Sequence, residues 1–499
     1  MKKKLLLNTA TALAAQFVVL VIGFVLPRLI LEQYGSEVNG LTQSIKQFLG
    51  IITFLELGTS QVMRSNLYRP LAGRDYAEIS RIVVAGRKFY SRFAGALAVY
   101  VVILMGVYPY LADQSFGWLY TATLIGAIAI SSFAQYFFGI VNEQVLHADQ
   151  RGYVVYGLQI GTQILNLVVC VVLLRLGRSI QVVKLATSLI FLIRPLFIHA
   201  YVTRQYRIDK RIEYAGDPIK QKWNGMAQHI SAVVLDGTDT IVLTLFSTLS
   251  NVSVYSVYYL VIGSIQQFYQ AATAGIHSAA GALWAKNDIQ AQKKMFSYTQ
   301  MGLHLVTVFL FTCMGRLIVP FVQVYTFGLT DANYTQPLFA VVLVFAYGIR
   351  CLRTPYNIWI LAAGHYKQTQ RCHITAAAVN VVISVIAVAQ FGLIGVAIGT
   401  LIAMLYQTTW MAVYNTKHLL HWPLSNMLKQ VAVDLCIVVV SCVLCSGMVM
   451  GSVCYLSWFV LAVKVALVTL LVTVLAASLF FRKECKGLVG AVLKKSRQL

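Results

Sequence analysis

The sequence predicts an all-α polytopic membrane protein of about fourteen transmembrane helices, arranged as two six-helix lobes plus two extra C-terminal helices. Three observations carry that prediction: the composition, the spacing of the apolar runs and the alternation of charge between loops. Across 499 residues the hydrophobic fraction is 58% and charged residues make up 11%, with a mean hydropathy of +0.72. Soluble domains carry about 25% charge, so an ordinary globular enzyme is excluded. A span needs about 20 mostly apolar residues, and with loops of about 10 residues the chain has room for roughly fourteen.

Apolar runs bounded by charges or turn residues place the spans near 5–31, 39–63, 89–109, 118–141, 153–174, 180–201, 227–249, 253–275, 298–324, 336–362, 373–391, 394–414, 430–450 and 457–481. No alternation of apolar-out and polar-in residues runs through the chain, which argues against a transmembrane barrel. Lys2 to Lys4 followed by an apolar stretch to Leu31 has the form of a signal peptide, but the stretch is too long for a typical h-region and reads as an uncleaved first span.

Loop charge sets the orientation. The N-terminal lysines, the 64–92 segment with Arg64, Arg69, Arg81 and Arg87, the 202–226 segment with Arg204, Arg207 and Arg211, the 284–297 loop and the C-terminal tail all fall on one side. That side is cytoplasmic by the positive-inside rule. Opposite loops carry Glu32, Glu37, Asp113 and Asp331 and few cations, chiefly Arg175 and Arg178. An even span count with both termini inside satisfies the pattern, and the implied location is a bacterial cytoplasmic membrane. The excess of 40 Lys plus Arg over 17 Asp plus Glu thus belongs to a membrane face bearing anionic lipid, with no nucleic-acid partner expected. The nine cysteines fall mostly in apolar runs and read as small core residues.

An internal repeat is faint but present. A shift of roughly 214 residues lays the first six spans over spans seven to twelve, with Asn166 over Asn380 and Val38 over Val252. The expected organisation is an N-lobe over 1–226, a C-lobe over 227–425, and 426–499 as two appended helices with a basic tail.

Ionisable residues inside a span mark a cavity or a substrate path by default. Here they are Arg28, Lys46, Glu56, Lys184, Arg194, Asp236, Asp239, Arg316, Arg350, Arg353 and Lys464. On the second span Thr42, Lys46, Thr53, Glu56 and Ser60 recur at helical spacing and form one stripe. On the eighth, Tyr259, Gly263, Gln266, Gln270, Thr273 and His277 do the same, and on the seventh His229, Asp236, Thr240 and Ser247. Such stripes suit a shared vestibule, and they also suit interhelical hydrogen bonding. Snorkelling gives Arg28, Lys184 and Lys464 a structural explanation. Arg350 and Arg353 lie on one face, fitting either a paired cation site or a salt bridge to Asp236 or Asp239.

A cavity with several cations matches an anionic substrate, and Arg suits phosphate because its planar fork donates two hydrogen bonds at once. The cationic set is Arg28, Lys46, Arg194, Arg350 and Arg353, with Gln266 and Gln270 as polar partners; Glu56, Asp236 and Asp239 are the candidates for carrying a coupling ion, H+ or Na+. Tyr255, Tyr258, Tyr259, Phe268 and Tyr269 are aromatic candidates for stacking on sugars or for interfacial belts. The sequence has no G-x-x-x-x-G-K-[ST] loop, no H-E-x-x-H and no G-x-S-x-G, so neither an ATPase nor another enzyme, metal site or cofactor is expected.

With these residues in place, the chain resembles the polysaccharide flippases of the multidrug/oligosaccharidyl-lipid/polysaccharide (MOP) exporter superfamily, the Wzx-like O-antigen and capsule flippases. The resemblance rests on YGSEVNGL at 34–41, FLELGTSQVMRSNL at 54–67, LDGTDTIVLTLFSTLSNVSVYSVYYLV at 235–261 and AAGHYKQTQRCHITAAAVNVVISVIAVAQFGLIGVAIGT at 362–400. It implies two six-helix lobes around a lumen and alternating access that flips an undecaprenyl-pyrophosphate-linked oligosaccharide outward. By the same resemblance Arg28 and Lys46 are the best-placed pyrophosphate ligands, and polysaccharide polymerase and glycosyltransferases are expected partners. Drug exporters and lipid II flippases of the superfamily are the alternatives. The first usually carry acidic residues in the N-lobe cavity, where only Glu56 is available; the second carry more arginines on the eighth helix, where this chain has glutamines.

Overall fold

The computed structural model describes residues 2–51, 59–112, 116–209, 211–212, 226–482 and 484, and every regular element among them is helical. The chain divides into two compact units, Met1–Ser253 and Val254–Leu499.

In the first unit α1 (Lys2–Ile51) is one continuous element with a single break at Gly35, where φ is 81° and ψ 177°. A residue without Cβ enters this positive-φ conformation at no steric cost, so one glycine does the work of the turn expected between the first two spans. After α2 (Thr59–Gly73), the helix α3 (Tyr76–Leu111) starts under the side chain of Asp75, which accepts from the Glu78 amide at 3.0 Å. It is longer than the expected span at 89–109 because its polar first turns stay helical beyond the apolar run.

Helix α4 (Trp118–Ala134) passes through a π-helical turn, Gln135–Gly139, into α5 (Ile140–Ala148). Gly139 makes room there for the Gln135 side chain, which packs where a Cβ would sit. A π-turn adds one residue to the helical circuit and re-aims the side chains around it. Next come α6 (Gly152–Arg175) and α7 (Ile180–Gln205). The α5–α6 turn is locked to the end of α7 by Asp149, which receives Arg151 at 2.8 Å and the Tyr206 hydroxyl at 2.6 Å. Burial and the neighbouring Asp149 carboxylate push the Tyr206 phenol up from its ordinary value.

Helix α8 (Met226–Phe246) packs within this first unit, although the repeat register groups it with the second lobe. The reason is a set of contacts with the second arm of α1. Ser44 Oγ meets Thr244 Oγ1 at 2.7 Å, and Asn39 Nδ2 donates at 2.8 Å to Ser253, its counterpart under the repeat shift. The buried Gly40 lies directly against the carbonyl of Leu249, at the start of α9 (Leu249–Ala285). A Cβ there would strike backbone, which cannot swing aside as a side chain can. Gly40→Val is therefore expected to cost about 3 kcal/mol, the upper end for overpacking. A thermal melt of the detergent-solubilised chain checks this, with Gly40→Ala intermediate.

The second unit continues α9 and adds α10 (Ile289–Tyr325), α11 (Pro337–Leu352), α12 (Thr354–Ala362), α13 (Tyr366–Phe391), α14 (Leu393–Tyr414), α15 (Leu424–Leu444) and α16 (Tyr455–Phe480). The span expected at 336–362 is broken at Arg353, because Pro355 in the first turn of α12 has no amide to continue the ladder. Gly395 and Gly399 on α14 sit against the Ala387 carbonyl and the Ser384 side chain of α13, and Asn380 Nδ2 donates to Thr400 Oγ1 at 3.0 Å beside them. Small residues at a helix crossing, with a polar bond across it, are how helices associate where lipid removes the hydrophobic drive.

Among the described residues eleven helices are long and apolar enough to cross a membrane. Counting the two arms of α1 separately and adding α8 and α9 to these eleven gives fourteen helical segments among the described residues, and the chain is a multi-pass membrane protein as the sequence predicts.

Candidate functional site

The first unit contains two adjoining cavities. One of about 400 Å³ is walled by both arms of α1 and by α4, α6 and α7, and Asn39, Thr42, Gln43, Lys46, Asn166 and Lys184 line it. The other, about 440 Å³, is lined by Gln135, Tyr136, Gln159, Thr162 and Arg194. Ser131, Ser132, Gln163 and Phe191 belong to both linings, so the two form one polar tract within the helical bundle. Among the described residues, no Asp or Glu lines either one.

Lys46 and Lys184 reach the same cavity from different helices. Lys46 is accessible to its interior, one helical turn beyond Thr42. Lys184 is 7% exposed, so the snorkelling explanation does not describe it: its head is held inside the protein. Neither ammonium group has a carboxylate partner among the described residues. An uncompensated charge at this depth is costly, and two of the same sign more so, which makes the cavity attractive to an anion.

Arg194 is compensated. Its Nη2 lies 2.8 Å from Glu143 Oε1, and Gln135 Nε2 donates to that same oxygen at 3.2 Å. Glu143 was not singled out in the sequence because it sits at the end of an apolar run. The π-turn brings Gln135 and Glu143 into register, and no local pattern announces that.

The other sequence candidates are distributed as follows. Arg28 is half-buried next to Pro27, a residue of the first cavity wall. On α8, Asp236 is exposed and Asp239 is buried. Glu56 and Thr53 lie outside the described residues. In the second unit the Arg350 guanidinium stands 5.9 Å from the Tyr347 ring, Arg353 ends α11, Gln266 is buried and Gln270 exposed. The aromatic candidates are largely committed to that unit's own packing. The Tyr258 hydroxyl donates to the Tyr334 carbonyl at 2.8 Å, and that of Tyr269 to the Cys351 carbonyl at 3.1 Å. Arg316 also has a structural task, donating at 2.8 Å to the Cys445 carbonyl at the end of α15, where a cation complements the helix dipole.

A second ionisable pair went unread in the sequence. His304 on α10 and Asp434 on α15 are both buried, with Nδ1 and Oδ2 2.6 Å apart. Gln430 Nε2 donates to the other carboxylate oxygen at 3.0 Å. Each residue is isolated within an apolar run, and only the packing of α10 on α15 brings them together.

No protein-family model matches the chain, and no curated protein matches it in sequence. Solved structures do match. Lipid II flippase MurJ in an inward closed conformation superposes with a TM-score of 0.67 at 11% identity, covering 96% of this chain and 99% of that one. An inward-facing multidrug resistance MATE family transporter of the MOP superfamily gives 0.56 at 16% identity, covering 81% and 94%. The eukaryotic MATE transporter AtDTX14 gives 0.58 at 13% identity, covering 83% and 95%. Over nearly its whole length, then, the chain has the polytopic helical fold of the MOP-superfamily transporters.

Proposed function

We propose that this protein is a flippase that moves an undecaprenyl-pyrophosphate-linked oligosaccharide across the bacterial cytoplasmic membrane by alternating access, for surface polysaccharide synthesis. The observation that carries the reading is the pair Lys46 and Lys184, which share one polar cavity of about 400 Å³ without a carboxylate partner among the described residues. That volume lies in the range of small-molecule sites. Two ammonium groups suit a diphosphate, and the surrounding amides and hydroxyls of Asn39, Gln43, Gln163 and Asn166 suit sugar hydroxyls. A cation exporter needs the opposite sign, and Glu143, the carboxylate that meets Arg194, is already neutralised by it.

Both termini are cytoplasmic in this reading, placed there by the basic loops. No nucleotide site is built into the sequence, so an ion gradient, the membrane potential or the substrate gradient drives the cycle, with Glu56, Asp236 and Asp239 as the candidate carriers of a proton or sodium ion. Polysaccharide polymerase and glycosyltransferases act downstream and upstream of it.

The test is translocation by the purified chain in proteoliposomes, using an undecaprenyl-pyrophosphate-linked oligosaccharide and a membrane-impermeant lectin to count headgroups reaching the far leaflet. Lectin-accessible headgroups should appear with the wild type and fall at least about tenfold with Lys46→Gln plus Lys184→Gln, a loss of one charge-assisted contact or more. Undiminished translocation by the double variant, or drug resistance conferred without translocation, would overturn the proposal.

A further inference from the structure

Helix α7 carries a stripe, Lys184, Thr187, Ser188, Phe191 and Arg194, at spacings of three and four, and all five residues line the polar tract. Its two ends are cationic. Ten residues of helix separate them, about 15 Å of rise, which is half the thickness of a bilayer core. The end at Lys184 is shared with Lys46 and has no counter-ion among the described residues. The end at Arg194 has one, contributed by Glu143 from behind the cavity wall.

The way Arg194 is held differs from a closed structural salt bridge. It meets Glu143 through Nη2 at 2.8 Å, and Nε is buried with no hydrogen-bond partner among the described residues. A guanidinium has five donors in a fixed fork, so much of its capacity is unspent. Glu143 in turn is shared with Gln135 at 3.2 Å, and Gln135 itself lines the cavity. The carboxylate therefore satisfies Arg194 when the tract is empty, yet leaves donors to which a phosphate can bind bidentately.

We propose that Arg194 is a second anion-binding station on the transport path, with Glu143 as a resident counter-ion that a phosphate or diphosphate group displaces. The inference rests on the reading of the tract as an anion path. Exchange of one anion for another keeps the guanidinium compensated throughout, so the substrate binds without ever being held too tightly to leave. A bare arginine at this depth would act as a trap. The two stations together carry the charged group over about 15 Å in two short steps.

The discriminating variant is Glu143→Gln, which removes the competitor and keeps the shape. Binding of inorganic pyrophosphate to the purified full chain, measured by calorimetry at neutral pH, should tighten roughly tenfold, the strength of one charge-assisted contact. The gain should vanish in Glu143→Gln plus Arg194→Gln and persist in a Lys46→Gln plus Lys184→Gln background. In proteoliposomes Glu143→Gln should translocate more slowly despite binding better, a combination that a purely structural glutamate does not give.

If Glu143→Gln proves too unstable to purify, Glu143→Asp keeps every charge and draws the carboxylate back from Arg194 by one methylene. It should tighten pyrophosphate binding about twofold to threefold. Unchanged or weaker binding in whichever variant is obtained overturns the station. Should the lysine variants bind pyrophosphate as well as wild type while the Glu143 effect holds, the di-lysine reading fails and the Arg194 station stands. Undecaprenyl diphosphate should compete with pyrophosphate at the Glu143→Gln site. Competition by phosphatidylglycerol alone would assign the site to bulk lipid and overturn its place on the path.

Discussion

Reversing both cavity lysines, Lys46→Glu with Lys184→Glu, is expected to abolish headgroup translocation, by more than about 100-fold, while the folded chain is still produced. At an effective dielectric of about 20, one charge contact at 4 Å is worth about 4 kcal/mol. Turning two attractions into two repulsions therefore exceeds the roughly 3 kcal/mol that a 100-fold loss requires. The amides of Asn39, Gln43 and Asn166 around the cavity can donate to the new carboxylates, so the substitution removes function more than fold. Lectin-accessible headgroups in proteoliposomes measure the first quantity, and the elution profile of the solubilised protein the second. Arg316→Gln is the contrasting control. It should destabilise the α15 terminus by loss of the bond to Cys445 and leave the residual transport per folded molecule close to wild type.

Asp434→Ala carries the largest stability effect expected in the second unit. Removing the carboxylate leaves His304 buried at 2% exposure and without its partner at 2.6 Å, and also strands the Gln430 amide. Breaking one side of a buried ionisable pair costs about 3–5 kcal/mol, whereas replacing both sides with apolar groups is often close to neutral. The double variant His304→Leu plus Asp434→Leu should accordingly be more stable than Asp434→Ala alone. Thermal melts of the wild type, His304→Leu, Asp434→Leu and the double variant, in one detergent, measure the coupling. Additive losses would mean that the pair contributes nothing beyond its separate parts. The pair joins α10 to α15, the first of the two helices beyond the six-helix repeat, and Met301, Val308, Val433 and Ile437 pack around it.

Lys46 is legible in the sequence because its stripe is local: Thr42 and Lys46 share a helix face by spacing alone, and both line the cavity. Arg194 is legible as a charge out of place in an apolar run. Lys184 was legible as a residue but not in its role, since snorkelling and cavity lining predict the same sequence and differ only in where the head ends. Glu143 and the pair His304 and Asp434 had no signal at all. Each meets its partner on another helix, 51 residues away in one case and 130 in the other.

What the sequence alone determined is the class of the molecule, the number of its helices and the positions of charges that lipid would not tolerate. These depend on composition and on the 3.6-residue period, which act within a single helix. Only the tertiary structure decided that Lys46 and Lys184 share a cavity, that Arg194 has a carboxylate partner while they have none among the described residues, and that α8 packs with the first unit. Those outcomes depend on which helix faces meet, and that is fixed by close approaches such as Gly40 on Leu249 and by a π-turn that rotates Gln135 into place, neither of which periodicity encodes.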